Sequence, residues 1–136
     1  GKHLLPVRIY YEDTDFTGDV YHAPYLRFFE RGRSEMLRVM GTPPDRDDHG
    51  AFAVTRVVID YKGAARIHDT LVVHTSFAGM KGPRLNFRQT ITRDGVTLTE
   101  AEVVAVAIHP DGRARKPSAT ELSHWNAYNS ASRNGP

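Results

Sequence analysis

Apolar residues recur at helical spacing in one stretch of the chain and alternate with polar residues over much of the remainder. In residues 24–40 the apolar side chains return every three or four positions, which predicts one long helix with most of its surface covered. A proline at position 24 suits the first turn, and Gly41 followed by two prolines ends the helix. Runs rich in Val, Ile, Thr and Phe predict strands at residues 7–11, 51–61, 70–78, 85–92 and 96–108.

The order of these elements predicts an α+β fold built on an antiparallel sheet. An Asp-Gly pair at 94–95 is typical of a tight hairpin turn, so the last two strands should be antiparallel neighbours. The strands follow one another instead of alternating with helices, and a helix this apolar must lie against the sheet they form. We predict a single domain over residues 1–136, with a polar loop at 45–50 and a partly disordered tail from about residue 118.

Composition narrows the class of protein without indicating an activity. The chain has 136 residues, of which 40% are hydrophobic and 25% charged, ordinary values for a globular protein. A formal charge of +2 is too small to indicate nucleic-acid binding, although it suits a small anionic ligand. The absence of cysteine excludes disulfides, thiolate metal sites and a cysteine nucleophile. No apolar run approaches the ~18 residues of a membrane span, and we expect a cytoplasmic protein.

An acidic stretch, YEDTDFTGDVYH, lies between the first strand and the helix. Aligned as a calcium loop, it places Asp13, Asp15 and Thr17 at ligand positions and Gly18 at the turn. The twelfth position, which should be a bidentate glutamate, is Pro24, and a strand stands where the entering helix should be. The sequence therefore predicts no calcium site, and we expect no other metal.

The same stretch has a second possible use, because it ends at the N-terminus of a helix. The N–H groups at about residues 22–25 have no partner within the helix, and the positive end of the helix dipole lies behind them. Such groups can polarise a carbonyl oxygen, and a carboxylate beside them would provide a base or a nucleophile for acyl transfer. Aspartates before a helix are, however, more often caps or turn formers, so residue types and spacing leave both interpretations open.

The segment 10–37 resembles the hallmark segment of the 4-hydroxybenzoyl-CoA thioesterase family, in particular the branch of bacterial acyl-CoA thioesterases associated with the Tol–Pal system. The shared pattern is Asp-x-Asp, a short loop with glycine, Val-Tyr-His and an aromatic helix with Glu-x-x-Arg. Its positions in this sequence are Asp13, Asp15, Gly18, Val20, Tyr21, His22, Tyr25, Glu30 and Arg33. Weaker similarity continues to about residue 110.

The resemblance implies a hotdog fold, in which a curved antiparallel sheet wraps around one long central helix. It also implies a homodimer or homotetramer with active sites between subunits. By position, Asp15 is the catalytic carboxylate, acting as a nucleophile or a general base. The backbone N–H of His22 binds the oxyanion, and its side chain is also implicated in catalysis. The implied reaction is hydrolysis of an acyl-CoA thioester, with coenzyme A as part of the substrate and no separate cofactor.

Substrate contacts are expected at two places in the sequence. Phe16 follows the catalytic carboxylate and Tyr21 precedes His22 in the family pattern, and Lys81 and Arg84 flank a turn that can reach the phosphates of coenzyme A. Arg115 is a further candidate cation after the last strand.

Two positions depart from the family pattern. Asp19 replaces a residue that is usually apolar, and a second carboxylate there would raise the pKa of Asp15 unless it points to solvent. Phe16 replaces a small residue, which we expect to narrow the acyl pocket and to shift substrate preference. The alternative function is a non-catalytic acyl-CoA or acyl-carrier binding module on the same fold.

Overall fold

The computed structural model of the chain describes residues 2–41 and 51–134, which form five strands and two long helices. The strands are β1 (Lys2–Arg8), β2 (Ala51–Tyr61), β3 (Thr70–Lys81), β4 (Arg84–Arg93) and β5 (Val96–Ile108). The helices are α1 (His22–Val39) and α2 (Ala119–Asn134), and a 3-10 turn covers Tyr11–Asp13. The polar loop predicted at 45–50 lies outside the described residues.

The strands form an antiparallel sheet in the order β1-β3-β4-β5-β2, so β1 and β2 are its edges. In β4 the alternation seen in the sequence decides which side chains face α1, because successive residues of a strand point to opposite faces. The buried set is Leu85, Phe87, Gln89 and Ile91. The predicted hairpin joins β4 to β5, with a positive φ at both Asp94 and Gly95.

Helix α1 packs against the inner face of the sheet and supplies much of the core. Its large buried side chains are Tyr25, Phe28, Phe29, Met36 and Leu37. Full burial of such a side chain contributes about 1.5–3 kcal/mol. Gly32 allows a close approach to β3, because a Cβ there would lie 2.7 Å from Thr75 Oγ1 and 2.8 Å from Val73 Cγ1. The predicted architecture, an antiparallel sheet around one long helix, is confirmed.

Two boundaries near the N-terminus differ from the prediction. Strand β1 pairs with β3 over Lys2–Arg8, not over 7–11. Residues 11–13 form a 3-10 turn instead, held by the Asp13 carboxylate, which accepts the Tyr10 N–H at 3.0 Å. Helix α1 begins at His22 and not at Pro24, since a proline is tolerated throughout the first turn, where its missing N–H leaves no helical hydrogen bond unmade.

The C-terminal segment forms a helix, α2, from Ala119 to Asn134, which the sequence pattern did not predict. Helix α2 begins with a capping box: the Glu121 N–H donates to Ser118 Oγ at 3.1 Å, and the Ser118 N–H donates to Glu121 Oε1 at 2.9 Å. Trp125 is 1% exposed and packs against Phe52. The sequence did not predict this helix because few of its side chains are apolar, so its hydrophobic periodicity is weak.

Candidate functional site

Asp15 lies in a compact loop that leads directly into α1. A backbone bridge between Thr14 and Val20 closes the loop, and the Asp15 N–H donates to the Asp19 carbonyl oxygen at 2.9 Å. At the tip, the Gly18 N–H donates to the Asp15 carbonyl oxygen at 3.1 Å. Gly18 has a φ of +85°, which glycine adopts without strain. The loop is therefore shaped by its own main chain.

A second segment, residues 65–69, holds this loop from the other side. The Val20 N–H donates to the Ala65 carbonyl oxygen at 2.8 Å, and the Ile67 N–H donates to the Gly18 carbonyl oxygen at 3.0 Å. Arg66 adds an ion pair with Asp19 at 2.7 Å, between residues 47 positions apart in the sequence. The loop before α1 is thus fixed by contacts that no local pattern in the sequence contains.

The carboxylate of Asp15 is exposed, and its two oxygens have different surroundings. Oδ1 accepts hydrogen bonds from the Thr17 N–H at 2.8 Å and the Thr17 hydroxyl at 2.5 Å, and a longer one from the Asp19 N–H at 3.4 Å. Oδ2 has no hydrogen-bond partner among the described residues. The Thr17 hydroxyl and N–H are the main reason that the pKa of Asp15 is lowered, with a smaller contribution from the charge of Arg66. Asp15 is therefore ionised at neutral pH, with one oxygen held and the other open.

The other two aspartates of the acidic stretch have structural partners. Asp13 is 6% exposed and accepts a hydrogen bond from Arg27 Nη2 at 3.3 Å. Asp19 is paired with Arg66 and offers its backbone N–H to Asp15, so the predicted rise in the pKa of Asp15 is wrong. The three carboxylates point to different partners. No group of three or more His, Cys, Asp or Glu that could hold a metal ion occurs in residues 2–41 and 51–134.

The N-terminus of α1 carries hydrogen-bond donors that the described chain leaves unoccupied. Tyr21 is the N-cap residue, its side chain makes no capping hydrogen bond, and the first turn contains no acidic residue. The N–H groups of His22 and Ala23 have no acceptor within the described ranges. Pro24 has no N–H to offer. Two donors at the positive end of the helix dipole are therefore open to a carbonyl oxygen.

Aromatic contacts fix the first turn of α1. The exposed ring of His22 stacks on Tyr61 at the end of β2, with centroids 4.2 Å apart and planes 19° from parallel. Tyr61 meets the ring of Tyr25 at 5.6 Å, and the Tyr25 hydroxyl oxygen accepts the Ala65 N–H at 3.0 Å. Burial raises the pKa of Tyr25, so this hydroxyl stays neutral. The helix start is thereby tied both to β2 and to the segment that holds the Asp15 loop.

Phe16 and Tyr21, which are predicted to contact the substrate, both face solvent. Phe16 is 97% exposed, Tyr21 is 43% exposed and the nearby Tyr11 is 77% exposed. A side chain with so few contacts cannot narrow a pocket of its own chain. Any effect of Phe16 on an acyl group requires the substrate itself or a second copy of the chain to contact it.

Lys81 and Arg84 lie across the turn between β3 and β4, and both are exposed. This turn directly follows β3, whereas residues 65–69, which hold the Asp15 loop, directly precede β3. Strand β3 has 12 residues, so at about 3.3 Å per residue its ends are roughly 35 Å apart. The structure therefore does not bring these two cations to the Asp15 of the same chain.

Arg115, the further candidate cation, is not free to bind an anion. Its guanidinium donates to both carboxylate oxygens of Glu121, at 2.6 and 3.0 Å, and lies 5.7 Å over the ring of Phe52. The side chains of Arg115 and Glu121 are only 10% and 3% exposed. This cation holds α2 in place.

A cleft of about 400 Å³ runs between α1 and β2. The two elements run in opposite directions, because Tyr61 at the end of β2 stacks on the first residue of α1. The apolar lining comes from the helix, from β2 and from the central strands, and it includes Leu26, Leu37, Phe52 and Val57. The polar lining, which includes Glu30, comes from α1. The cleft thus has an apolar floor and a polar side along the helix.

Arg33, in the Glu-x-x-Arg pattern, anchors α1 to the sheet. Its Nη1 donates to Gln89 Oε1 at 3.0 Å, and Gln89 Nε2 donates to the Phe29 carbonyl oxygen and to Thr75 Oγ1, both at 2.9 Å. Gln89 is 1% exposed, so its amide must be satisfied within the protein. This network supports a structural role for Arg33.

Sequence patterns missed three residues that shape the site, Thr17, Arg66 and Tyr61. Thr17 could have been found, because an Asp side chain often bonds the backbone two residues further on. Arg66 and Tyr61 follow the acidic stretch by about forty residues or more, and only the tertiary fold brings them to it.

Comparison with known proteins agrees with this description. Residues 10–125 match the family model of the thioesterase-like superfamily. The acyl-CoA thioester hydrolase YbgC of Escherichia coli O6:H1 is 42% identical over 108 residues, which cover 77% of this chain and 81% of YbgC. No helix among the described residues is long and apolar enough to span a membrane.

Solved structures show the same fold. A probable thioesterase from Bartonella henselae superposes with a TM-score of 0.81 at 34% identity, over 87% of this chain and 100% of the other. A mutant of 4-hydroxybenzoyl-CoA thioesterase complexed with 4-hydroxybenzoyl-CoA superposes with a TM-score of 0.84 at 18% identity, over 90% of this chain and 97% of the other. The predicted hotdog fold is confirmed.

Proposed function

The chain belongs to the thioesterase-like superfamily, and from this premise we propose that it hydrolyses acyl-CoA thioesters to a free acid and coenzyme A, with Asp15 at the reacting carbonyl. The chain is a thioester hydrolase, since it matches an acyl-CoA thioester hydrolase at 42% identity over most of both lengths. One observation carries the assignment of Asp15. An ionised carboxylate with an open oxygen lies on the loop that leads into an uncapped helix N-terminus.

The proposed reaction uses the helix end and the carboxylate together. The thioester carbonyl oxygen accepts the N–H groups of His22 and Ala23, and each such donor typically contributes about 3 kcal/mol to transition-state stabilisation. Asp15 Oδ2 either attacks the carbonyl carbon, forming an anhydride that water then hydrolyses, or takes a proton from an attacking water. On both routes one water is consumed, the carbon–sulfur bond breaks, and the thiolate of coenzyme A leaves and is protonated.

The lowered pKa of Asp15 is compatible with both routes. The lowered pKa keeps the Asp15 carboxylate ionised but also makes it a weaker base. A thiolate is a good leaving group, so the reaction does not need a strong base. We assign to the imidazole of His22, which is exposed at the same helix start, the role of orienting the water or carrying a proton.

We also propose that the protein acts as a homodimer, or as a homotetramer built from it, that pairs through β2. This strand is a sheet edge of 11 residues with exposed apolar side chains, and such edges are normally covered. Val54 is 46% exposed, Val57 36%, Val58 42% and Tyr61 39%. Antiparallel pairing about a two-fold axis would place the Tyr61 end of one copy beside the opposite end of its partner's sheet.

That pairing would also give Lys81 and Arg84 a role. Arg84 pairs with Val106, and Val106 pairs with Ala53, so the β3–β4 turn lies at the end of the sheet where β2 begins. In the proposed dimer, these cations of one copy therefore approach the Asp15 end of the other, where they would bind the phosphates of coenzyme A.

Because coenzyme A thioesters are cytoplasmic metabolites, we propose that the protein acts in the cytoplasm.

The dimer can be tested by dilution. Thiol release per chain should fall as the protein concentration drops below the dissociation constant that sedimentation gives for the dimer. Constant release per chain in solutions where sedimentation shows only single chains would overturn the proposal.

The catalytic assignment is tested by thiol release from a panel of short, long, branched and aromatic acyl-CoAs. We expect Asp15→Asn to lower kcat/KM by about 10²–10⁴-fold, the usual contribution of a positioned base. Asp94→Asn is a matched control, because Asp94 lies in the β4–β5 turn with a φ of +51°, which asparagine also adopts.

Each outcome of this assay has a definite meaning. Undiminished release by Asp15→Asn, with the fold retained, would refute the role of Asp15. No release by the unmodified protein from any acyl-CoA, together with measurable binding of one, would favour the non-catalytic binding module instead.

A further inference from the structure

Residues 65–69 hold the chain on both sides of Asp15. On the N-terminal side, Ile9 exchanges two backbone hydrogen bonds with the end of this segment, at 2.8 and 3.0 Å. On the C-terminal side, Asp19 and Arg66 form an antiparallel bridge. One short segment therefore fixes both where the chain enters the Asp15 loop and where it leaves it.

This supporting segment is itself tightly held. Asp69 Oδ2 accepts the Arg66 N–H and Arg93 Nη1, both at 2.8 Å. Arg93, the last residue of β4, also donates to the Ala64 carbonyl oxygen at 3.2 Å. Burial would raise the pKa of Asp69, but the hydrogen bonds and the two arginine charges lower it, so the carboxylate stays ionised. His68 has a φ of +73°, which a residue with a Cβ adopts only where its surroundings impose it. The segment is therefore a fixed support for the loop.

The side chain of Arg66 extends from this support over the Asp15 loop. Its Nη1 lies 2.7 Å from Asp19 Oδ1, and its Nη2 donates to the Thr17 carbonyl oxygen at 3.4 Å. A Cβ on Gly18 would lie 3.6 Å from the same Nη2, so the guanidinium covers the tip of the loop. Its charge adds to the hydrogen bonds from Thr17 in lowering the pKa of Asp15.

Asp19 would act on Asp15 in the opposite sense if it were unpaired. Its N–H lies 3.4 Å from Asp15 Oδ1, so the two carboxylates belong to neighbouring turns of one loop, and a like charge favours the protonated form of Asp15. The other ionisable side chains of this region are Glu12 and Asp13 on the preceding turn, His22 on α1 and Asp69 on the supporting segment. Asp13 and Asp69 are paired with Arg27 and Arg93. Arg66 thus decides whether the charge of Asp19 acts on Asp15.

We propose that Arg66 is a positioning residue for thioester hydrolysis: from its fixed support it holds the Asp15 loop in place ahead of α1 and neutralises Asp19. The inference rests on the proposed function and adds a residue to it. The side chains of Arg66 and Asp19 are 59% and 39% exposed, and ion pairs this exposed contribute little to stability. The effect of Arg66 should therefore appear in the activity of the protein and not in its stability.

The test compares Arg66→Met with Arg66→Lys. Arg66→Met removes the charge and should lower kcat by about 10- to 100-fold with a smaller change in KM, because Arg66 places a reacting group and does not bind the substrate. It removes a positive charge near Asp15 and leaves Asp19 unpaired. Both changes favour protonation of Asp15, so the acid limb of the kcat/KM profile should move to higher pH. Arg66→Lys keeps the charge and should keep the limb in place.

Two further variants make the result specific. Adding Asp19→Asn to Arg66→Met removes the unpaired carboxylate, so the acid limb should return toward its position in the unmodified protein. Arg38→Met is the matched control: it breaks a pair with Glu35 at 2.6 Å whose side chains are 64% and 37% exposed, near the C-terminal end of α1, and should leave kcat, KM and the limb unchanged. NMR of the carboxyl carbons in labelled protein follows the pKa of Asp15 without substrate.

Three results would overturn the inference. They are an acid limb and an Asp15 pKa that Arg66→Met leaves unmoved, a kcat that falls only as far as the folded fraction of that variant, and a limb that stays displaced when Asp19→Asn is added. A failure of the proposed function looks different, because the unmodified protein would then release no thiol from any acyl-CoA. The role of Arg66 in hydrolysis would fall with it, while the NMR titration would still report the interaction between Arg66 and Asp15.

Discussion

Replacing Glu121 by glutamine should detach α2 from the protein before the sheet unfolds. In the folded chain the Glu121 carboxylate accepts hydrogen bonds from Arg115 at 2.6 and 3.0 Å, and from the Ser118 N–H at 2.9 Å. Glutamine has nearly the same shape, but it removes the charge and replaces one acceptor with a donor that faces the guanidinium. Arg115, whose side chain is 10% exposed, would then be a buried cation without a counter-ion.

The expected loss is large for a single substitution. Removing one partner of a buried ion pair costs about 3–5 kcal/mol. An unfolding entropy of about 2.1 cal/mol/K per residue gives roughly 0.29 kcal/mol/K for 136 residues, so a loss of about 3 kcal/mol lowers Tm by ~10 °C. If α2 detaches alone, the loss is limited to the free energy with which α2 docks, and the sheet keeps its own transition.

The chain offers a local probe for this event. Trp125 is the one tryptophan in the sequence and is 1% exposed on α2, so its fluorescence reports the docking of that helix. Far-UV circular dichroism reports the whole chain. In urea the two transitions should coincide for the unmodified protein, and the fluorescence transition of Glu121→Gln should move to lower urea.

Two further variants make the result specific to the buried pair. Asp111→Asn breaks an exposed pair with Arg113, whose side chains are 53% and 81% exposed, and should leave both transitions in place. Combining Arg115→Met with Glu121→Leu should restore the fluorescence transition, because apolar side chains often replace a buried pair without loss. If the free energy of unfolding of Glu121→Gln, measured by both signals, stays within about 0.5 kcal/mol of that of the unmodified protein, the pair does not hold α2.

Lowering the pH should weaken the docking of α2 in the unmodified protein, as Glu121→Gln does. Burial alone would raise the pKa of Glu121, but the hydrogen bonds and charge of Arg115, together with the Ser118 N–H, lower it below its ordinary value. The stabilisation is complete above the unfolded pKa of about 4.3 and is lost as the pH falls through the lower folded pKa. The fluorescence transition should therefore separate from the circular dichroism transition only in that acidic range.

Three smaller changes test the Asp15 loop. Thr17→Val removes the hydroxyl that bonds Asp15, so the pKa of Asp15 should rise and the acid limb of the kcat/KM profile should move to higher pH; an unmoved limb would contradict the assignment. Phe16→Ala should leave Tm unchanged, since the ring is 97% exposed, but should alter the acyl-CoA preference, and an identical preference would remove Phe16 from the substrate site. Gly18→Ala should destabilise the protein by about 1–2 kcal/mol in urea, because alanine is strained at a φ of +85°, and no loss would show that the loop can rearrange.

The secondary structure could be predicted where it depends on residues that are close in the sequence. Strands β2 and β5 have the predicted bounds, because each is a long stretch rich in β-branched residues that turn residues border in the sequence. Helix α1 was recognisable from its apolar spacing, and its start moved by two residues because a proline marks the first turn but not a particular position in it. Helix α2 was missed although its S-x-x-E start is a capping box, a short signal that the weak periodicity after it did not support.

The candidate site was predictable only in its local part. Asp15 and the helix start stand within a few residues of each other, so their association could be proposed from the sequence. The partner of Asp19 could not, because Arg66 lies 47 residues away and reaches it only through the bridge between two loops. The distance of Lys81 from Asp15 was equally hidden, since the length of β3 separates them and only the sheet topology shows it.

The two departures from the family pattern have different physical consequences. Arg66 forms an ion pair with Asp19 at 2.7 Å, so the negative charge of Asp19 has little effect on the pKa of Asp15. Phe16, the residue that follows Asp15 in the sequence, has no comparable partner within the described chain and is 97% exposed. An apolar ring in that place gains free energy only from a contact outside its own chain. The acyl group and a second copy are the two surfaces the proposed function provides, so a shift in substrate preference relative to other thioesterases should originate at Phe16 and not at Asp19.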